Sequence, residues 1–223
     1  MTDRAARYET TDRLRRCAAA AVAALVLVGL SFGAAGRDGV SRTPIRASEM
    51  AKFVGVNTHL AYTDSRYADV TAVARSLSHI GVTRVRDALP NPSVPGNGWY
   101  SYPPLAARGV TFNFVLGAKD VDVADTLLRL GAFEEAHPGS IASVEGPNEY
   151  NNWPFPYLGA TGNDAAAAFQ TDLHAALRAT PGLARVPMLN LTTWPPTFGS
   201  YDVASLHAYP KNGEQPRSVF VYE

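Results

Sequence analysis

The chain has 223 residues, a formal net charge of +0, and 46% apolar and 18% charged residues, the make-up of one folded soluble domain with at most a tail. Neutrality removes the electrostatic case for binding nucleic acid or an anionic membrane surface, and no Lys/Arg cluster with interleaved aromatics occurs beyond the N-terminus. The single cysteine, Cys17, excludes an internal disulfide and leaves the body of the chain without a thiolate for zinc or nucleophilic catalysis.

Residues 1–16 carry Arg4, Arg7, Arg13, Arg15 and Arg16, followed by an apolar run over 17–32 and then Gly33-Ala34-Ala35-Gly36. A charged, then apolar, then small-residue order is that of a secretory signal. Residues 1–36 are therefore expected to be a signal peptide, cut after Ala35 or Gly36, or else an uncleaved signal anchor held in the membrane through 17–35. The run is short for a span of about 20 residues. Arg15-Arg16 hints at twin-arginine export, but the rest of that motif is missing. Export to the periplasm or the medium follows from either reading. Residues 37–52 read as a polar linker and 53–223 as the folded domain.

A short apolar run, 53–57, ends in polar Asn57 and His59 and predicts a first strand. Helical spacing of Val70, Val73, Ala74, Leu77 and Ile80 predicts a helix over 67–80, ended by Gly81. Residues 82–86 form a second strand, and 103–108 a short helix closed by Gly109. Residues 110–116, rich in β-branched and aromatic side chains, make a third strand. A helix covers 121–136, with Val123, Leu127, Leu128 and Leu130 as its apolar set, and Pro138-Gly139 breaks it. Residues 141–144 are a fourth strand. Asn163-Asp164 caps a helix reaching Ala179, and 186–191 and 203–206 are the fifth and sixth strands.

Strand–helix alternation predicts a parallel α/β sheet with crossover helices. It is either a doubly wound open sheet or a barrel of the TIM (β/α)8 type. No glycine-rich dinucleotide or phosphate loop follows the first strand, which removes support for the open nucleotide-binding sheet. The polar residues gather at strand C-terminal ends, where barrel enzymes keep their chemistry: Asn57 and His59, Arg86 and Asp87, Lys119 and Asp120, Asn148 and Glu149, Asn190, His207 and Tyr209. About six of eight barrel strands are expected within the sequence. The chain should then end before the barrel is complete.

The densest chemistry is Glu145-Gly-Pro-Asn148-Glu149. A glutamate on a rigid strand end can act as a general acid, its neighbouring asparagine can bond a substrate hydroxyl, and Tyr150, Trp153, Phe155 and Tyr157 could supply apolar walls or flat faces for sugars. Glu145 reads as a support of the strand. This pattern resembles the clan A glycoside hydrolases, in which an Asn-Glu pair ends the fourth strand, often as E-x-x-N-E-P; Tyr150 stands here in place of the proline. The resemblance spans about 53–210 and extends to Arg86 on the second strand, His207-Ala208-Tyr209 on the sixth, and the opening around His59. It implies a carbohydrate partner, an oligo- or polysaccharide with β-linked sugars, and a retaining mechanism. In that scheme Glu149 is the acid/base, and Asn148, Arg86, His59, His207 and Tyr209 contact the sugar. Trp194, in Thr193-Trp-Pro-Pro, is a further candidate for the wall of a sugar subsite. The clan's nucleophile is a seventh-strand glutamate. Residues 218–223 read as a strand ending in Glu223, a poor candidate for that role so soon after His207. Without a nucleophile the protein would bind carbohydrate but not cut it, or act as a membrane-anchored binding protein.

Other readings of the same residues stay open: Glu149 as a loop ion-pair partner, Arg86 paired with Asp87 across a turn, His207 or His59 as packing residues, and Trp194 as loop packing. The histidines and aspartates show neither metal-ligand nor calcium-loop spacing, so neither metal nor cofactor is expected.

Overall fold

A computed structural model describes residues 44, 46–94, 96–117, 120–193, 196–205 and 207. The chain divides into the units Met1–Arg46 and Ala47–Glu223, and all the elements below belong to the second. The expected signal, the possible membrane anchor 17–35, Lys119, Trp194, Tyr209 and Glu223 lie outside the described residues. Among those described, no helix is long and apolar enough to cross a membrane.

The elements run α1 (Ala47–Ala51), β1 (Val56–Asn57), α2 (Val70–Ile80), β2 (Arg84–Ala88), α3 (Tyr102–Ala106), β3 (Thr111–Leu116), α4 (Val123–Ala136), β4 (Ile141–Pro147), β5 (Pro156–Tyr157), β6 (Ala160–Thr161), α5 (Asn163–Ala179) and β7 (Met188–Leu189). Single 3-10 turns precede α2 and α3 and follow β4. Local chemistry accounts for the boundaries. Asp69 caps α2 by accepting from the Ala72 amide at 2.9 Å, the oxygen-to-backbone bond that frees a helix N-terminus from an unpaired donor. Gly81 ends α2 in the left-handed region at φ 70°, where a side chain would be strained. Asp122 caps α4 in the same manner through Asp125.

A parallel sheet of five strands in the order β1-β2-β3-β4-β7 forms the centre. Strands adjacent in the sheet follow one another along the chain, with only the β5–β6 hairpin set aside. Crossovers of one hand between such strands put every connecting helix on the same side. The core agrees: Leu77, Leu105, Leu130, Phe133, Phe169 and Leu173 from the helices share one buried cluster with Val85, Phe112, Phe114, Leu116, Val144 and Met188 from the strands. Phe133 meets Phe112 and Phe114 edge-on, at ring distances of 5.6 and 5.1 Å. Alternate residues of the same strands point the other way. Pairing aligns Asn57 with Arg86, Arg86 with Asn113, Asn113 with Ser143, and Val115 with Glu145, so the face away from the described helices is mainly polar.

Several sequence-based expectations need correction. Among the described residues the sheet is open and has five strands where six were expected. Val203 makes only an isolated parallel bridge to Leu189. The second strand lies two residues later than its apolar run suggested, because Val85 alone of that run faces the core and Asp87 takes the next inward position. The fourth strand extends through Pro147, which takes Glu145 into the sheet itself. Residues 47–51, read as linker, form the exposed helix α1. Asn163-Asp164 do not cap α5: its cap position is Gly162 and no side chain bonds there. The β5–β6 hairpin was not anticipated, since its two-residue strands are too short to show a period.

Candidate functional site

The polar face has a charged centre. Glu145 is 2% exposed, and burying an ionised carboxylate that deeply requires partners on each oxygen. It has them. Arg86 grips it bidentately, Nε to Oε2 and Nη2 to Oε1, both at 2.7 Å. Asn113 Nδ2 adds a bond to Oε2 at 3.0 Å, and Ser143 Oγ donates to Asn113 Oδ1 at 3.0 Å. Burial pushes the Glu145 carboxyl upward, but the hydrogen bonds and charges of Arg86 and His207 outweigh it and hold the group at about 2. The same Arg86 Nη2 donates to Asn148 Oδ1 at 2.8 Å, tying the end of β4 back to β2.

Glu149 stands just beyond β4, its side chain about a quarter exposed. Its backbone is left-handed, at φ 47° and ψ 41°, a conformation that is unfavourable for a residue with a Cβ. Neighbours hold it there: the Glu149 amide donates to Thr192 Oγ1 at 3.1 Å, and the Asn148 and Thr192 amides bond the carbonyls of Leu116 and Pro147. Strain held by surrounding bonds is common where a side chain must be aimed at a ligand. Behind the turn, Gly146 leaves room for α5. A Cβ there would stand 1.8 Å from Gln170 Oε1, so a larger residue would have to displace the Gln170 side chain, which donates to the carbonyls of Leu189 and Ser200.

His207 joins both glutamates, with Nδ1 2.9 Å from Glu149 Oε1 and Nε2 3.1 Å from Glu145 Oε1. Its bond to Glu145 raises its pKa, burial works against that, and Glu149 reinforces it. The segment leading to His207 is moored by Asp202, which accepts from the Met188 amide at 2.7 Å and pairs with Arg178 and His174. Burial raises Asp202, but the Met188 amide, His174 and Arg178 outweigh it and lower its pKa.

The structure thus brings Arg86, Asn148, Glu149 and His207 together, with Glu145 at their centre. Arg86 does not pair with Asp87. That carboxylate turns toward the helix side and accepts from Thr58 Oγ1, the Leu60 amide and Tyr102 OH, fixing the loop that carries His59. Burial, then the Asp87 charge, drives the Tyr102 hydroxyl pKa up. His59 is exposed and stacked on Tyr62, ring centroids 4.7 Å apart and 9° from parallel, with no bond to the Arg86 cluster shown. Asn190 serves the loop at 197–199, and Asp120 pairs with Arg129. Of the aromatics after Glu149, Tyr150 and Phe155 are core residues and Tyr157 bonds Asp172 at 2.7 Å, while Trp153 is exposed.

Asn113, Ser143 and Thr192 are the site residues the sequence reading missed. Asn113 had a signal: it is the polar residue at an alternate position of Thr111-Phe-Asn-Phe-Val-Leu116, in register with Arg86. Among the described residues no group of three or more His, Cys, Asp or Glu side chains could hold a metal ion. No family model, curated protein or solved structure matches the chain.

Proposed function

We propose that the protein is a glycoside hydrolase-like enzyme with the winding of a (β/α) barrel, cutting β-linked sugars with Glu149 as acid/base. The observation that carries the reading is the position of Glu149. It is a partly exposed carboxylate at the C-terminal end of a central parallel strand, aimed by a strained backbone and bonded to His207. Consecutive strand order with helices on one face supports the barrel type, and strand C-terminal ends are where such sheets place their chemistry. In this reading Glu149 protonates the departing glycosidic oxygen, and a second carboxylate attacks the anomeric carbon from about 5–5.5 Å across the cleft, giving retention. Asn148 and Arg86 lie beside it to position sugar hydroxyls. Residues 1–36 export the protein as a secretory signal, a part of the proposal tested by fractionation and N-terminal sequencing.

The test is hydrolysis of a panel of β-linked gluco-, xylo- and manno-oligosaccharides by the wild type and by Glu149→Gln. Turnover by the wild type and its loss in the variant is the expected result; equal turnover by both would remove Glu149 from the chemistry. Sugar binding without hydrolysis is the second reading. It is favoured by Glu145, whose carboxylate is buried and committed to Arg86, Asn113 and His207 and so is unsuited to attack a sugar. Binding by calorimetry with no product formed would select it.

A further inference from the structure

We propose that Glu149 and His207 hold one proton between Oε1 and Nδ1, with Glu145 as the fixed counter-charge, so that His207 is the positioning residue for the proton Glu149 delivers. The inference rests on the reading of Glu149 as acid/base, and it concerns how that acid keeps its proton.

The geometry limits the possibilities. Both ring nitrogens of His207 face carboxylate oxygens, Glu149 Oε1 at 2.9 Å and Glu145 Oε1 at 3.1 Å. An ionised carboxylate only accepts, and a neutral imidazole donates from one nitrogen only. Two arrangements satisfy both contacts. In one, an imidazolium donates to two carboxylates. In the other, a neutral ring donates through Nε2 to Glu145 and accepts at Nδ1 from a protonated Glu149. Both contain the same number of protons and, with Arg86, the same net charge; they differ by one hydrogen moved across the Glu149–His207 contact. A third arrangement would need the proton on Glu145. The bidentate Arg86 and the Asn113 amide occupy that carboxylate as acceptors' partners and exclude it. Among the described residues, the charged and titratable groups facing the ring are Glu145 and Glu149 from the β4 end and Arg86 from β2, whose Nη2 lies 3.5 Å from Nε2 and opposes charge on the ring.

In the reaction, the Glu149 O–H bond breaks as its proton passes to the leaving oxygen, leaving a carboxylate beside a neutral ring. The water that then supplies the hydroxyl returns its proton to Glu149, and the shared state is restored. Two coupled groups of this kind titrate as a pair.

The test is an NMR pH titration of the histidine rings in the full chain, with His207 assigned through His207→Gln. Glu149→Gln is expected to lower the His207 midpoint, because it removes a negative partner of the imidazolium; Glu149→Asp, which keeps the charge, should lower it less. An unchanged midpoint in both overturns the proposal. On a β-linked oligosaccharide, His207→Gln should move the alkaline limb of the kcat/KM profile, whereas a parallel loss at every pH would mean a purely structural role and overturn it too. If the wild type hydrolyses none of the panel, the acid/base reading fails, and the NMR midpoints still decide whether the proton is shared.

Discussion

The two faces of the sheet are made by the same strands and do opposite work. On the helix side, Phe112, Phe114, Leu116 and Val144 are sealed from water and cohere by contact area. On the other side, one residue along each strand, Arg86, Asn113, Ser143 and Glu145 bond one another. A strand turns successive side chains to opposite faces, so a single run of residues can carry a core and a charged site. The difference lies in tolerance. The dry face depends on volume, and the polar face on the pairing of every charge.

Loss of activity is the largest effect expected. On the proposed acid/base reading, Glu149→Gln should reduce hydrolysis of unactivated glycosides by about 10²–10⁴-fold, the usual contribution of a general acid, with little change in the urea midpoint. A parallel fall in stability would mean that the polar face cannot be separated from the fold. Phe114→Ala breaks the other side. A large buried ring replaced by a methyl should remove about 4 kcal/mol of unfolding free energy, read by urea denaturation. Arg86→Met leaves Glu145 buried without its main partner and should cost about 3 kcal/mol; a neutral outcome would show that the ion pair only aims Asn148.

The pH dependence sharpens the same contrast. Glu145 is held at about 2 against an ordinary value of 4.5. The folded state therefore binds its proton later than the unfolded chain. The stabilisation is present above the unfolded value and is lost as pH falls from about 4.5 through about 2, amounting to roughly 3 kcal/mol. Unfolding measured at pH 6, 4 and 2.5 should show the loss, and Glu145→Gln should flatten that part of the curve. The smallest effect is a gain. Glu149→Gly relieves the left-handed backbone and should raise stability by about 1 kcal/mol while removing activity. A decrease would show that the Glu149 side chain contributes more to the fold than its backbone costs.

Much of the fold was legible because it is periodic. The helices at 70–80, 123–136 and 163–179 repeat apolar residues at helical spacing, and β3 is rich in β-branched and aromatic residues. Where periodicity was short, the reading slipped: β2 moved by two residues and the β5–β6 hairpin was invisible. At the site, Arg86, Asn148, Glu149 and His207 stood out because each was expected to end or follow a strand, although Arg86 lies in the middle of β2. Glu145 was read as a support, and it does anchor the cluster, but nothing local announced that it would bind residues from β2, β3 and the segment near 207.

The sequence alone, then, determined the alternation of the main strands and helices and the presence of polar residues near strand ends, since these follow from spacing along one chain; it did not fix every apolar face, for Ile80 and Leu128, read as facing the core, are exposed. Tertiary structure alone decided that Arg86 would choose Glu145 over the adjacent Asp87, and that His207 would bridge two glutamates. Those choices depend on strand register and on which face each residue takes. Register is set by pairing between segments distant in sequence, where a shift of one residue exchanges the two faces.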